Sequence, residues 1–356
     1  MLMHLTRKSS QKQQGMGVVE VMVAALVGML TALAIYASVN VIIGTNRSAI
    51  STNSAFNNAM LGMNAMVEDI ELAGGGFFIN ENFSCSSLNA YYDGTIISDN
   101  AAFSPIQITD GGAGGSDTIT VMRSDSIYSG AATPLLTDQA SPNAALKVNL
   151  SAVDDNTEVA ILAKADGSEP CTMIGISSKN NNGTTLSINH SGSGSLYNPP
   201  SLNAYSNPVA YSADDYFINM GNVTWQTWRV TNQKLETLNN HNNNVTQIAE
   251  DIIAIKAQYG ITNGTDTTIT NWESATGNWA TLDNAEFARI RAIRIAIIAR
   301  SAQREKNQEN LGTCNATTSY PTLWDNSTTF DLSAIPNWQC YRYRVVNMVI
   351  PLRNML

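Results

Sequence analysis

Gly15-Met16-Gly17-Val18-Val19-Glu20, continued by the apolar run Val21 to Ile43, is the stretch on which the reading of this chain turns. From Val18 to Ile43 the strongly polar side chains are Glu20 and Asn40. As a helix rising ~1.5 Å per residue, these residues extend roughly 39 Å. That is enough to cross a hydrocarbon core of about 30 Å. A carboxylate two residues inside such a segment is expensive in lipid and usually marks a site with a partner. Ahead of it, Met1 to Gly15 carries Arg7, Lys8 and Lys12 and no acid. A secretory signal peptide is cut at small residues after its apolar region. Here the small residue, Gly15, comes before that region, which predicts cleavage on the cytoplasmic side with the helix retained. An uncleaved signal anchor with Glu20 near the headgroups is the plainer alternative.

The apolar pattern continues past the membrane segment. Phe56, Met60, Met63, Val67 and Ile70 recur at spacings of four and three, predicting one buried stripe on a helix that extends to about Ala73. Gly74-Gly75-Gly76 is expected to end it, because glycine readily takes the left-handed cap. Gly28, Gly44 and Gly62 each lower helix propensity by about 1 kcal/mol relative to Ala, and either bending or close packing would account for them.

Beyond the helix, short alternating runs bounded by turn residues predict strands. They are 105–109, 117–123, 145–150, 158–165, 172–177, 185–189, 216–219 and 223–230, with 179–184 and 191–206 as turns or exposed loops. The loop Asp110-Gly111-Gly112-Ala113-Gly114-Gly115 lacks the Lys and following helix of a phosphate cradle and is expected to be a flexible hairpin loop. Residues 248–252 suggest a helical turn leading into a strand with Ile253, Ile255, Ala257 and Tyr259 on one face. After a loop over 262–284 and a helical entry at 285–290, Ile293, Ile295 and Ile297 alternate in another strand. A closing strand runs from Tyr341 to Ile350, with Pro351 ending its hydrogen bonding. A long helix followed by antiparallel sheet is α+β.

The chain has 356 residues, of which about 70 belong to the helix. The remainder suits one large domain with elaborate loops, or a core with an inserted subdomain. The formal net charge is −9, more negative still without the leader, so the surface as a whole repels nucleic acid. Cys85, Cys171, Cys314 and Cys340 show no metal-ligand spacing. Their even number in an exported domain favours two disulfides among three possible pairings. Cys314 with Cys340 is preferred because it would staple a polar loop to the last strand, leaving Cys85 with Cys171. His4, His190 and His241 sit in no catalytic spacing. Asp154-Asp155 and Asp214-Asp215 read as solvated turns. Neither a cofactor nor a metal site is expected, although Asp154, Asp155, Asn156 and Glu158, and the loop Asn263-Gly264-Thr265-Asp266, offer weak clusters of oxygen ligands.

The basic leader, Gly15, and Glu20 at the fifth position after it resemble the class III signal of type IV prepilins and type II secretion pseudopilins. Met16 in place of the common Phe, and Gly17 in place of the usual Thr, depart from that pattern. The resemblance implies that prepilin peptidase cuts after Gly15 and methylates the amine of Met16, and that Glu20 pairs with the Met16 amine of a neighbouring subunit. Residues 115–121, 251–260, 290–301 and 349–354 are similar to stretches of PilW-type minor pilins, with 124–245 poorly covered. The implied layout is leader 1–15, transmembrane half-helix 16–43, periplasmic half-helix 44–73 and β-rich head 74–356. The implied role is non-enzymatic: priming type IV pilus assembly at or near the tip. Expected partners are other minor pilins, the major pilin, the inner-membrane assembly platform, prepilin peptidase and a PilY-type tip adhesin. A pseudopilin of the GspJ group shares the whole N-terminal logic, and an adhesin displayed on a pilin stem is the third reading. The C-terminal arginines, Arg289, Arg291, Arg294, Arg300, Arg304, Arg342, Arg344 and Arg353, are either a solvated face balanced by acids or one cationic docking face for an acidic partner.

Overall fold

The stem helix spans Val18–Glu71. The structure is a computed structural model that describes residues 17–75, 77–79, 82–83, 85–124, 132–153, 158–190, 192, 194–264, 268–305, 314–324 and 328–355. The chain divides into two compact units, residues 1–50 and 51–356. In the first, the described residues are the apolar helical segment, and every side chain from Val18 to Ile43 is exposed.

In the second unit the helix buries Ala55, Ala59, Gly62, Met63, Met66, Asp69 and Ile70. This corrects the expected stripe by about one residue. Phe56 is exposed, and Met60 and Val67 only fringe the core. Small side chains at 55, 59 and 62 let the helix backbone approach the sheets, whereas Phe56 would hold it off. The closeness is visible at Gly62, where an added Cβ would run into Leu235 Cδ2 and lie 3.6 Å from Ile297 Cδ1. Gly28 and Gly44 have open space instead. Beyond Glu71 the chain turns at Gly74, whose φ of +78° is one that glycine adopts without strain.

Two antiparallel sheets receive the helix. One orders Asn271–Glu273, Ile252–Ile261, Ile290–Arg300 and Tyr343–Pro351; the other orders Val245–Glu250, Lys234–Asn239, Val223–Thr231, Thr118–Ser124 and Ile106–Thr109. Ile255, Ala257 and Tyr259 on one strand and Ile293, Ile295 and Ile297 on its neighbour join the helix stripe in the main core, together with Ile119, Val121, Trp228 and Leu235. A six-stranded sheet follows the order Thr95–Ala102, Ser87–Tyr92, Cys171–Gly175, Val159–Ala163, Tyr216–Gly221, Ala132–Pro134, and contains one parallel pair, Ser87–Tyr92 with Cys171–Gly175. With the three strands Ser178–Asn181, Thr185–Asn189 and Leu146–Asn149 it encloses a second core around Leu162, Ile174, Ile188, Tyr211 and Phe217. The chain is α+β and its sheets are mostly antiparallel.

Several local expectations need correcting. Residues 248–252 form no helical turn: Val245–Glu250 is an edge strand, and Asp251, at φ +59°, swings the chain into the next. A bulge between Ile252 and Ala254 turns Ile253 to the far side of its sheet. Ser178–Asn181 is a strand although all four residues are polar, because it lies at a sheet edge with one neighbour. The loop over 262–284 contains the short strand Asn271–Glu273. Pro351 does not end the pairing, since the Leu352 N–H donates to Arg291 O at 2.9 Å.

Candidate assembly interface

Among the described residues, one helix is long and apolar enough to cross a membrane, the stem. Glu20 lies in its first turn, where its Oε2 accepts the Gly17 N–H at 3.2 Å. A carboxylate here satisfies one of the helix's unpaired N-terminal donors and opposes the positive end of its dipole. Gly15 and Met16 lie outside the described residues. The exposed face from Val18 to Ile43 therefore carries a single acid, close to the chain end that a cleavage after Gly15 would create.

The lower stem is fixed to the head by a polar cluster that the sequence did not reveal. Asp69, 5% exposed, accepts from Arg123 Nε at 2.8 Å, from Trp228 Nε1 at 3.0 Å and from Gln226 Nε2. Alternation along the strands sets this up, because Arg123, Gln226 and Trp228 point to the same side of their sheet. The only advance signal is an acid three residues after Met66, one helical turn further along the same side. Two residues on, Glu71 pairs with Arg353 at 2.9 Å, and Asn354 Nδ2 donates to Leu72 O at 3.0 Å and Ala73 O at 3.3 Å.

The C-terminal arginines do not make one cationic face. Directly paired residues share a side of the sheet, so Arg344, opposite Ala299, falls on the helix side. Arg294 and Arg300, with Tyr343 and Val349 as their cross-strand partners, fall on the other. Arg294 is held between Trp272 and Trp324, 4.9 and 4.5 Å from their ring centroids, and donates to Gln258 Oε1 at 2.7 Å. Arg300 lies 4.0 Å over Tyr341. Arg289 covers Trp279 and donates to Thr262 O at 3.1 Å. Arg291 caps Ala288 O at 2.7 Å, and desolvation lowers its pKa. Arg342 forms an ion pair with Glu305 at 2.5 Å. A period of two cannot collect arginines at 289, 291, 294, 342 and 344 on one side of two paired strands.

Both cysteine pairs are bridged, Cys85 with Cys171 and Cys314 with Cys340. The first joins a segment leading into Ser87–Tyr92 to its parallel neighbour strand. The second ties the loop beyond residue 313 to the turn before the last strand. The glycine loop after Thr109 is a pinned hairpin. Lys256 Nζ donates to Asp110 Oδ1 at 3.1 Å, to Gly112 O at 3.0 Å and to Asp117. Asp117 also accepts the Gly111 N–H at 2.9 Å and the Ala257 N–H at 2.8 Å. Burial nonetheless raises the Asp117 pKa, against the lowering by these donors.

The two described histidines are packed inside the head. His190 Nε2 lies 2.9 Å from Ala144 O, and burial lowers its pKa. His241 sits among the rings of Tyr92, Tyr197 and Trp225, at centroid distances of 5.4, 5.4 and 5.9 Å, and burial lowers its pKa to about 4. Asp215 is tied to Lys164 at 2.9 Å. His4, Asp154, Asp155, Asn156, Thr265 and Asp266 lie outside the described residues. What the described geometry offers is a face for association: an exposed apolar stem, one acid near its start, and a firm joint at its other end.

No curated protein and no solved structure matches the chain. Residues 215–354 match the family model PilW, described as Type IV Pilus-assembly protein W, and this match supports the chain as a PilW-type pilus-assembly protein.

Proposed function

We propose that this chain is a minor pilin that helps prime and assemble type IV pili, at or near the pilus tip, together with other minor pilins. The observation that carries the reading is the exposed apolar stem with the lone carboxylate Glu20, on a chain whose C-terminal part matches a pilus-assembly family. Its role is association, not catalysis. The subunit is held in the inner membrane by one helix with its head in the periplasm, meets prepilin peptidase and the assembly platform there, and then enters the fibre with the major pilin and a PilY-type tip adhesin.

Stems packed away from water leave an ionised Glu20 in need of a cation, and the amine of an adjacent Met16 is the nearest group of that kind. Burying a charge without its partner costs several kcal/mol. Glu20→Gln keeps the shape and removes the charge. It should leave leader removal after Gly15 and membrane insertion intact, while cutting incorporation of the subunit into sheared pili and lowering surface piliation. N-terminal mass spectrometry reports processing and methylation of Met16, and immunoblots of sheared fibres report incorporation. Equal incorporation of wild type and Glu20→Gln would remove the charge-pair role, and a mature chain that retains its leader would remove the pilin assignment.

A further inference from the structure

On the sheet built around Val223–Thr231, Thr120 is paired directly with both Gln107 and Thr227. These three side chains share the face opposite the one that meets Asp69. That outer face holds a concavity of about 160 Å³ whose walls include Phe103, Ser104, Gln107, Thr120, Trp225 and Leu282. No residue in its lining is charged.

Three of its polar side chains, Ser104, Gln107 and Thr120, have already committed their protons, while the Thr281 hydroxyl also lines the cleft. Ser104 Oγ donates to Ile106 O at 2.6 Å. Gln107 Nε2 donates to Ile108 O and to Ala280 O, both at 2.9 Å. Thr227 Oγ1 donates to Asn240 Oδ1 at 3.1 Å, so in its 2.8 Å bond with Thr120 it is the Thr120 hydroxyl that gives the proton. A hydroxyl has one proton and an amide nitrogen two. Ser104, Gln107 and Thr120 therefore have only oxygen lone pairs left to offer. Beside them stand the aromatic rings of Trp225 and Phe103, edge to face with centroids 6.5 Å apart.

A complementary ligand brings several hydrogen-bond donors, has an apolar face for an aromatic ring, and is neutral. An anion would face the lone pairs of Ser104, Gln107 and Thr120, and a desolvated cation would find no carboxylate in the wall. A pyranose fits all three conditions, with hydroxyls that donate and a C–H face that stacks. The volume is close to that of an engineered cavity of about 150 Å³ that accepts benzene, so it takes one six-membered ring with its exocyclic groups reaching out of the open cleft. We propose that this cleft is a binding subsite for one neutral pyranose residue, with Trp225 as the stacking face and Ser104, Gln107 and Thr120 as acceptors. The proposal goes beyond the pilus assignment, and either can fail without the other.

The test uses the full chain in lipid nanodiscs free of glycoside detergent and saturation-transfer NMR. The probes are D-galactose, D-mannose, D-glucose and N-acetyl-D-glucosamine, with choline and N-acetylneuraminic acid as charged comparisons. Transfer to the ring C–H protons of at least one neutral sugar is expected, with affinity at least tenfold lower in Trp225→Ala and at least threefold lower in Thr120→Val. Thr120→Val removes the acceptor while leaving the bond from Thr227 to Asn240, so it carries the test if Trp225→Ala fails to fold. Absence of transfer to all four neutral sugars, an unchanged affinity in Thr120→Val, or displacement of the sugar by choline would each overturn the proposal.

Discussion

Asp69→Ala should loosen the joint between the stem and the head. The substitution removes one carboxylate that serves three donors, Arg123 Nε, Trp228 Nε1 and Gln226 Nε2. Trp228 is 2% exposed, so its indole N–H would be left without a partner, a loss of ~1–3 kcal/mol. Breaking a fully buried ion pair costs about 3–5 kcal/mol, but the Arg123 side chain is 20% exposed and can rehydrate, which reduces its share. A total loss of about 3 kcal/mol follows, which at a urea slope of ~3 kcal/mol/M moves the unfolding midpoint down by about 1 M. Asp69→Asn should cost nearly as much, because its amide NH₂ would point at groups that are themselves donors. Asp69→Leu combined with Arg123→Met should recover part of the loss by replacing an unpaired charge with apolar contact. Urea titration of the full chain in nanodiscs, followed by tryptophan fluorescence, measures each variant. A midpoint for Asp69→Ala within about 0.3 M of wild type would show that the cluster is not what holds the helix.

Two further outcomes can be checked by the same titrations. His241 has a folded pKa of about 4, below its unfolded value near 6.5. The unfolded chain therefore binds the extra proton between those values, and the stabilising contribution is whole above pH 6.5 and lost as pH falls toward 4. Its size is about 3 kcal/mol, and the difference between wild type and His241→Phe should carry this pH dependence; parallel curves from pH 7.5 to 4.5 would refute it. Gly62→Leu should cost at least about 2 kcal/mol by overpacking against Leu235 and Ile297, whereas Gly44→Leu, with open space at its Cβ, should leave the unfolding midpoint unchanged or higher.

What was legible in the sequence follows the range of the interactions involved. The stem, the alternation of Ile293, Ile295 and Ile297, and the hairpin around the glycine loop are set by neighbours in the chain, and periodicity reports neighbours. The stripe of large apolar residues points to a neighbouring face of residues 51–71, because Ala55, Ala59 and Gly62 make the closest approach and small residues carry no periodic signal of their own. Val245–Glu250 and Ser178–Asn181 were missed because edge strands with mostly exposed side chains carry no hydrophobic alternation. Charge counted along the chain does not say which side of a sheet each arginine takes, and the two-residue period divides them between the two sides. Asp69 and the cleft beside Trp225 depend on contacts separated by more than 100 positions, such as Trp228 with Asp69 and Gln107 with Ala280. No local pattern encodes these.

The similarity to a pilus-assembly family and the joint at the foot of the stem share most of their residues, Arg123 being the exception. Gln226 and Trp228, which hold Asp69, Leu235 and Ile297, which receive Gly62, and Arg353 and Asn354, which reach Glu71, Leu72 and Ala73, all lie within the matched segment 215–354. They do not contribute equally. The pair of Glu71 with Arg353, whose side chain is 66% exposed, is of a kind worth less than about 1 kcal/mol. The buried stripe and Asp69 must therefore bear most of any load passed from the stem. The second core, around Leu162, Ile174 and Tyr211, lies almost wholly outside the matched segment and contributes none of these stem contacts. Its effect on the joint passes through strands it shares with the main core, such as Val159–Ala163, whereas a change at Gln226, Trp228 or Leu235 acts on the stem directly.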